Sequence, residues 1–128
     1  QAEGGRRLRV GIKSYDIGEH QSAYLMIDAL VRLTEREGLE VTVYCLRPND
    51  GSELRHETDQ RVTQAGGTFR DVSPLSTEGI AGTINNDNMH VLIDMDAHFR
   101  NSRLEVMAYR AAPVQVSVSV GIETAVWR

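Results

Sequence analysis

The chain has 128 residues, 41% of them hydrophobic and 25% charged, with a net charge of −4. That is enough for one domain with a real core and too little for two, and the negative balance argues against an electrostatic nucleic-acid surface. No apolar run approaches the roughly 20 residues of a membrane helix, so neither a membrane span nor a signal peptide is expected. The single cysteine, Cys45, excludes an internal disulfide and points to a reducing compartment.

Residues 1–7 are polar and glycine-containing and are expected to form a flexible terminus. Leu8–Ile12 reads as a first strand, followed by the loop Lys13–His20. Gln21–Glu37 reads as a helix with an apolar stripe of Met26, Ile27, Leu30, Val31 and Leu33 and with Gly38 as its C′ residue. Leu39–Leu46 is a second strand, alternating at Val41, Val43 and Cys45. Arg47–Gly51 is turn chemistry. Ser52–Ala65 is a polar helix capped by Ser52 and ended by Gly66 and Gly67. Thr68–Val72 is a short third strand and Leu75–Asn86 a weaker helix. Met89–Met95 is an apolar run without helical spacing, hence a fourth, buried strand. The polar loop Asp94–Arg100 follows it. Asn101 or Ser102 can cap a fourth helix, with Leu104, Met107 and Ala108 on one face and Ala111-Ala112-Pro113 as its stop. Val114–Val120 is β-branched at every second position and reads as a fifth strand.

Strands alternating with helices over short connections imply a Rossmann-like α/β sandwich: residues 8–128 as one lobe around a five-stranded parallel sheet of order 3-2-1-4-5. In that order the first and fourth strands are neighbours, the chain reverses direction between them, and ligands bind outside the strand ends at this switch point. The loops Lys13–His20 and Asp94–Arg100 therefore open on the same edge, and each carries a histidine. His20, at the mouth of the first helix, reads either as a general base or hydrogen-bond partner or as a helix-start histidine without a role. The positive dipole end of the helix disfavours its protonated form. His98 has the same two readings, with Asp96 and Arg100 beside it to fix its orientation.

Other residues offer less. Asp94 and Asp96 lack a third acid or histidine at a recognisable spacing, so no metal site is expected and Asp94 is read as bonding loop amides. Arg100 and Arg103 can hold an anion, though Arg103 reads rather as a solvated helix-start charge. Cys45 reads as a small apolar residue, His56 as part of a solvated face, and His90 as capping the sheet edge. There is no dinucleotide fingerprint, P-loop or nucleophile elbow.

Several segments together resemble a known family. Arg7-Leu-Arg-Val-Gly11, Asp16-Ile-Gly-Glu-His20, Leu25-Met26, Asp50-Gly51, Val91-Leu-Ile-Asp94, His98-Phe-Arg-Asn-Ser-Arg-Leu104 and Arg110-Ala-Ala-Pro-Val-Gln-Val116 follow the order and spacing of the O-GlcNAc transferase/SPINDLY family over residues 7–121. The resemblance implies the amino-terminal catalytic lobe of a GT-B glycosyltransferase, carried in a longer protein with a second catalytic lobe and a TPR array. It implies His20 and His98 as catalytic residues. Asp16, Gly18, Tyr24, Asp96, Arg100 and Gly121 would bind substrate, and Gly121–Trp127 would form part of the switch-point face. The co-substrate implied is a nucleotide sugar, UDP-GlcNAc or GDP-fucose, with no cofactor or metal. The partner implied is a protein acceptor modified on Ser or Thr, in a cytoplasmic or nucleocytoplasmic setting, with neither nucleic acid nor membrane; a homo-oligomer stays open. Two positions depart from the family: Tyr24, where a second histidine is common, and the segment after the fifth strand, which keeps only Gly121 of a Gly-Tyr-Pro-Gly run. These departures motivate the competing expectation of a non-catalytic scaffold or binding lobe, and the isolated fragment is expected to be inactive as a transferase. A receiver-like module is disfavoured because Val116–Val120 offers no lysine. A flavin module is disfavoured because Lys13–Glu19 is too charged for a phosphate loop.

Overall fold

The computed structural model describes residues 7–15, 23–95, 103, 105–118 and 124–127. Among them six strands and four helices follow one another: β1 (Leu8–Ser14), α1 (Ala23–Thr34), β2 (Leu39–Cys45), α2 (Glu53–Gln64), β3 (Thr68–Asp71), α3 (Thr77–Asn86), β4 (Val91–Asp94), α4 (Glu105–Ala108), β5 (Val114–Val118) and β6 (Thr124–Trp127). The sheet order is β3-β2-β1-β4-β5-β6. The first five strands pair in parallel, so the expected order 3-2-1-4-5 holds, with β1 beside β4.

The sixth strand is an addition. Gly121–Trp127 was expected at the switch-point face, but β6 runs antiparallel along the outer edge of β5, with Val118 opposite Thr124 and Gln115 opposite Trp127. Physically, β5 would otherwise present a row of unpaired backbone groups. The Thr-Ala-Val-Trp run is strand-prone, and a short connection allows an antiparallel return.

Two apolar layers sandwich the sheet. Val10, Ile12, Val41, Val43 and Cys45 pack with Leu30 of α1 and Val62 of α2. On the other face Tyr44, Leu46 and Leu92 pack with Ile80 and Ile84 of α3 and with Val106 and Met107 of α4. This explains a difference from the alternation read in β2. Thr42 and Tyr44 are as buried as Val41 and Val43, because parallel strands covered by helices on both faces have no solvent side. Cys45 is buried in the α1/α2 layer, and its Sγ–H donates to the Arg47 carbonyl at 3.4 Å.

Local chemistry sets the element ends. Gly38, at φ +85°, takes the left-handed turn that releases the chain from α1 into β2. Ser52 caps α2 by accepting from the Arg55 N–H at 3.2 Å, and Ser76 caps α3 by accepting from the Gly79 N–H at 3.0 Å. At the fourth helix the reading needs correction. The helix is a single turn, with Val106 and Met107 buried and Ala108 exposed; Asn101, Ser102 and Leu104 lie outside the described residues. Arg103 is not simply solvated: its Nη2 donates to the Leu75 carbonyl at 2.9 Å, tying the entry of α4 to the entry of α3. His90 joins the amino ends of β1 and β4. Its N–H donates to the Arg9 carbonyl, and its Nδ1 accepts from the Arg9 N–H, both at 2.9 Å. His56 is exposed on α2.

Candidate functional site

The switch point lies at the carboxyl ends of β1 and β4, and the polar residues described there are more buried than the loop reading suggested. β1 does not stop at Ile12 but continues to Ser14, and Asp94, read both within the fourth strand and as the first residue of the loop, is the last residue of β4. Their register places Lys13 opposite Asp94 and Asp94 opposite Ser117 of β5. Lys13 Nζ donates to Asp94 Oδ1 at 3.0 Å, and both side chains have 0% exposure. Ser117 Oγ lies 3.5 Å from Asp94 Oδ2. Asp94, expected to bond loop amides, thus forms a buried ion pair. The physical reason is alternation: Lys13, Asp94 and Ser117 share the α3/α4 face with Gly11, Leu92 and Gln115, where water is excluded and a charge needs an opposite partner.

Next to this row Gln115 is also fully buried. Its Nε2 donates to the Met107 carbonyl at 2.7 Å, while its Oε1 has no partner among the described residues. Backbone bonds tie the strand exits together: the Met95 N–H donates to the Lys13 carbonyl at 3.0 Å, and the Leu46 N–H to the Ser14 carbonyl at 2.9 Å.

Further along the same edge Arg55 is buried against Asp71 at the end of β3 (3.1 Å), donates to the Arg47 carbonyl (2.7 Å) and lies over the Phe69 ring. Arg55, Phe69 and Asp71, with Asn49, His56 and Asp59, line a cavity of about 220 Å³. Among the described residues no group of three or more His, Cys, Asp or Glu is placed to hold a metal ion. None of the helices described is long and apolar enough to cross a membrane.

A second network runs from the core out to the surface. Tyr44 Oη donates to Asp87 Oδ2 at 2.6 Å, and Arg70 holds the same carboxylate through Nε at 2.8 Å and Nη2 at 3.1 Å. Burial, then the bond to Asp87, pushes the Tyr44 phenol well above its ordinary range. The bond to Asp87 raises the Arg70 guanidinium further.

Of the residues expected to act, Asp16, Gly18, His20, Asp96, His98, Arg100 and Gly121 lie outside the described residues, and Tyr24 falls in the first turn of α1. The structure brings together the strand ends from which their segments depart: Met95 follows directly on Asp94, and Tyr15 follows Ser14, one residue after the paired Lys13. Lys13, Ser117 and Gln115 were missed. The signal for Lys13 was present: opposite charges stand at the ends of two strands that the expected order makes neighbours.

A parallel sheet wrapped on both faces by helices, with its buried polar row at the carboxyl end of the switch-point strands, defines a Rossmann-like lobe. Residues 1–123 match the family model Glycosyl transferase family 41, and the chain belongs to that family. It is 39% identical over 116 residues to the probable UDP-N-acetylglucosamine–peptide N-acetylglucosaminyltransferase SEC of Arabidopsis thaliana, covering 90% of this chain and 11% of that protein. It is 34% identical over 115 residues to the UDP-N-acetylglucosamine–peptide N-acetylglucosaminyltransferase of Caenorhabditis elegans, covering 89% and 10%. A probable enzyme of the same description, SPINDLY of Petunia hybrida, is 28% identical over 112 residues, covering 88% and 12%. Among solved structures, a mutant of the Thermobaculum terrenum O-GlcNAc transferase superposes with a TM-score of 0.73 at 29% identity, covering 88% of this chain and 20% of that one. The chain thus spans about a tenth of the length of the curated relatives it matches.

Proposed function

We propose that this lobe is the acceptor-side half of a nucleotide-sugar-dependent protein O-glycosyltransferase that moves GlcNAc from UDP-GlcNAc to a Ser or Thr hydroxyl. The observation that carries the reading is the family match along residues 1–123, on a fold that sets β1 beside β4 at a switch point. UDP-GlcNAc is preferred to GDP-fucose as donor because the relatives are described as UDP-N-acetylglucosamine transferases. The acceptor oxygen bonds to the anomeric carbon, the bond from that carbon to the diphosphate oxygen breaks, and UDP leaves.

In this reading His20 takes the hydroxyl proton or orients the acceptor as a neutral imidazole, and His98 shapes the sugar-facing wall, oriented by Asp96 and Arg100. Asp16, Gly18, Tyr24 and Gly121 contact substrate. The rest of the donor pocket belongs to a second catalytic lobe, and a TPR array accompanies both lobes, in a protein of the cytoplasm or nucleocytoplasm that needs no cofactor or metal.

The test is turnover of the full-length protein. His20→Ala is expected to lower kcat by about 100-fold or more, in line with the loss of a general base, with an unchanged melting temperature; His98→Ala is expected to lower it less. If His20→Ala leaves transfer intact and lowers the melting temperature, the histidine is structural. A folded full-length protein that transfers no sugar would instead favour the non-catalytic scaffold.

A further inference from the structure

Lys13 and Asp94 stand one position before the end of β1 and at the end of β4, both without solvent exposure, 3.0 Å apart. Ser117 extends the row to β5. Apart from Gln115, the α3/α4 face around it is largely apolar, with Tyr44, Leu92 and Met107 fully buried. A buried ion pair gains about as much from attraction as it loses by leaving water, and apolar residues of similar volume often hold a fold as well or better. Stability alone therefore does not account for a charged pair here. What distinguishes it from an apolar contact is direction: a short charge-assisted hydrogen bond fixes β1 against β4 along the strand axis, whereas apolar contact is non-directional. The bonds from the Met95 N–H to the Lys13 carbonyl and from the Leu46 N–H to the Ser14 carbonyl lie at the same level.

We infer that Lys13 and Asp94, extended by Ser117, are positioning residues for glycosyl transfer. They set the points at which the chain leaves β1 and β4 toward the segments bearing His20 and His98, and act through geometry rather than by touching substrate. The inference rests on the transferase reading.

The test compares full-length wild type with Asp94→Asn and with two double variants, Lys13→Met with Asp94→Leu, and Lys13→Gln with Asp94→Asn. Asp94→Asn alone is expected to lower melting temperature and kcat together. In at least one double variant the melting temperature is expected to return to within about 3 °C of wild type. There kcat should stay at least about tenfold low, since displacements near 1 Å are that damaging, with KM within about threefold. A double variant that recovers both melting temperature and kcat overturns the inference. So does failure of both double variants to fold, which assigns the pair to stability alone. If wild type transfers sugar from neither UDP-GlcNAc nor GDP-fucose, the transferase reading fails by itself. Amide exchange at Leu46 and Met95 then still decides the geometry: exchange about tenfold faster at equal melting temperature supports a positioning pair, and unchanged exchange overturns it.

Discussion

At Gly11 the absence of a side chain sets how closely the core can close. A Cβ there would meet Tyr44 Cε2 at 2.9 Å, Met89 Cγ at 3.1 Å and Leu92 Cδ1 at 3.3 Å, so the Tyr44 ring occupies the space a β1 side chain would take. Gly11→Ala is expected to destabilise the lobe by about 1–3 kcal/mol through overpacking, read as a lower urea midpoint at unchanged slope. The same ring carries a pH dependence. The folded lobe keeps the Tyr44 phenol protonated to higher pH than the unfolded chain, where it titrates near 10. Its contribution is complete below pH 10 and falls as pH rises beyond it, because the unfolded state then gains by ionising. Tyr44→Phe is expected to cost about 0.5–1.5 kcal/mol at neutral pH, with Asp87 still held by Arg70, and to flatten the loss of stability above pH 10 in melts from pH 7 to 11.

Among the elements, α2 shows how a polar helix is kept in register. It buries Leu54, Arg55, Thr58 and Val62, and its start is fixed by the Ser52 cap. Ser52→Ala is expected to lower stability by about 1 kcal/mol, measured by denaturant unfolding, while Ser52→Gly should cost only a few tenths. The cap was legible in the sequence because it is local, as was Gly38 after α1. The strand ends were not. Lys13-Ser14 reads as the start of a loop because a charge and a hydroxyl look solvated, yet Asp94 and Cys45 are their register partners. β6 was hidden for a similar reason: a four-residue run becomes a strand only where the edge of β5 is there to pair with it.

On the scale of the whole lobe, the switch-point edge is half of a cleft in the proposed reading. Half a pocket loses most of the contacts that offset the entropy of binding, so calorimetry on the isolated 128-residue chain is expected to detect no micromolar binding of UDP-GlcNAc or GDP-fucose. The order of the five parallel strands and the adjacency of β1 and β4 were determined by the sequence itself. Apolar periodicity and short connections act over a few residues each, and the right-handed crossover rule leaves few arrangements for them. The likeness to the transferase family was likewise spread along the chain as colinear segments. Only the tertiary structure decided that Lys13 is buried, that its partner is Asp94 81 residues away, and that the chain after β5 returns as an edge strand. A charge at a strand end reads the same whether water or a carboxylate faces it, and which of the two it meets depends on strands that touch only once the sheet has formed.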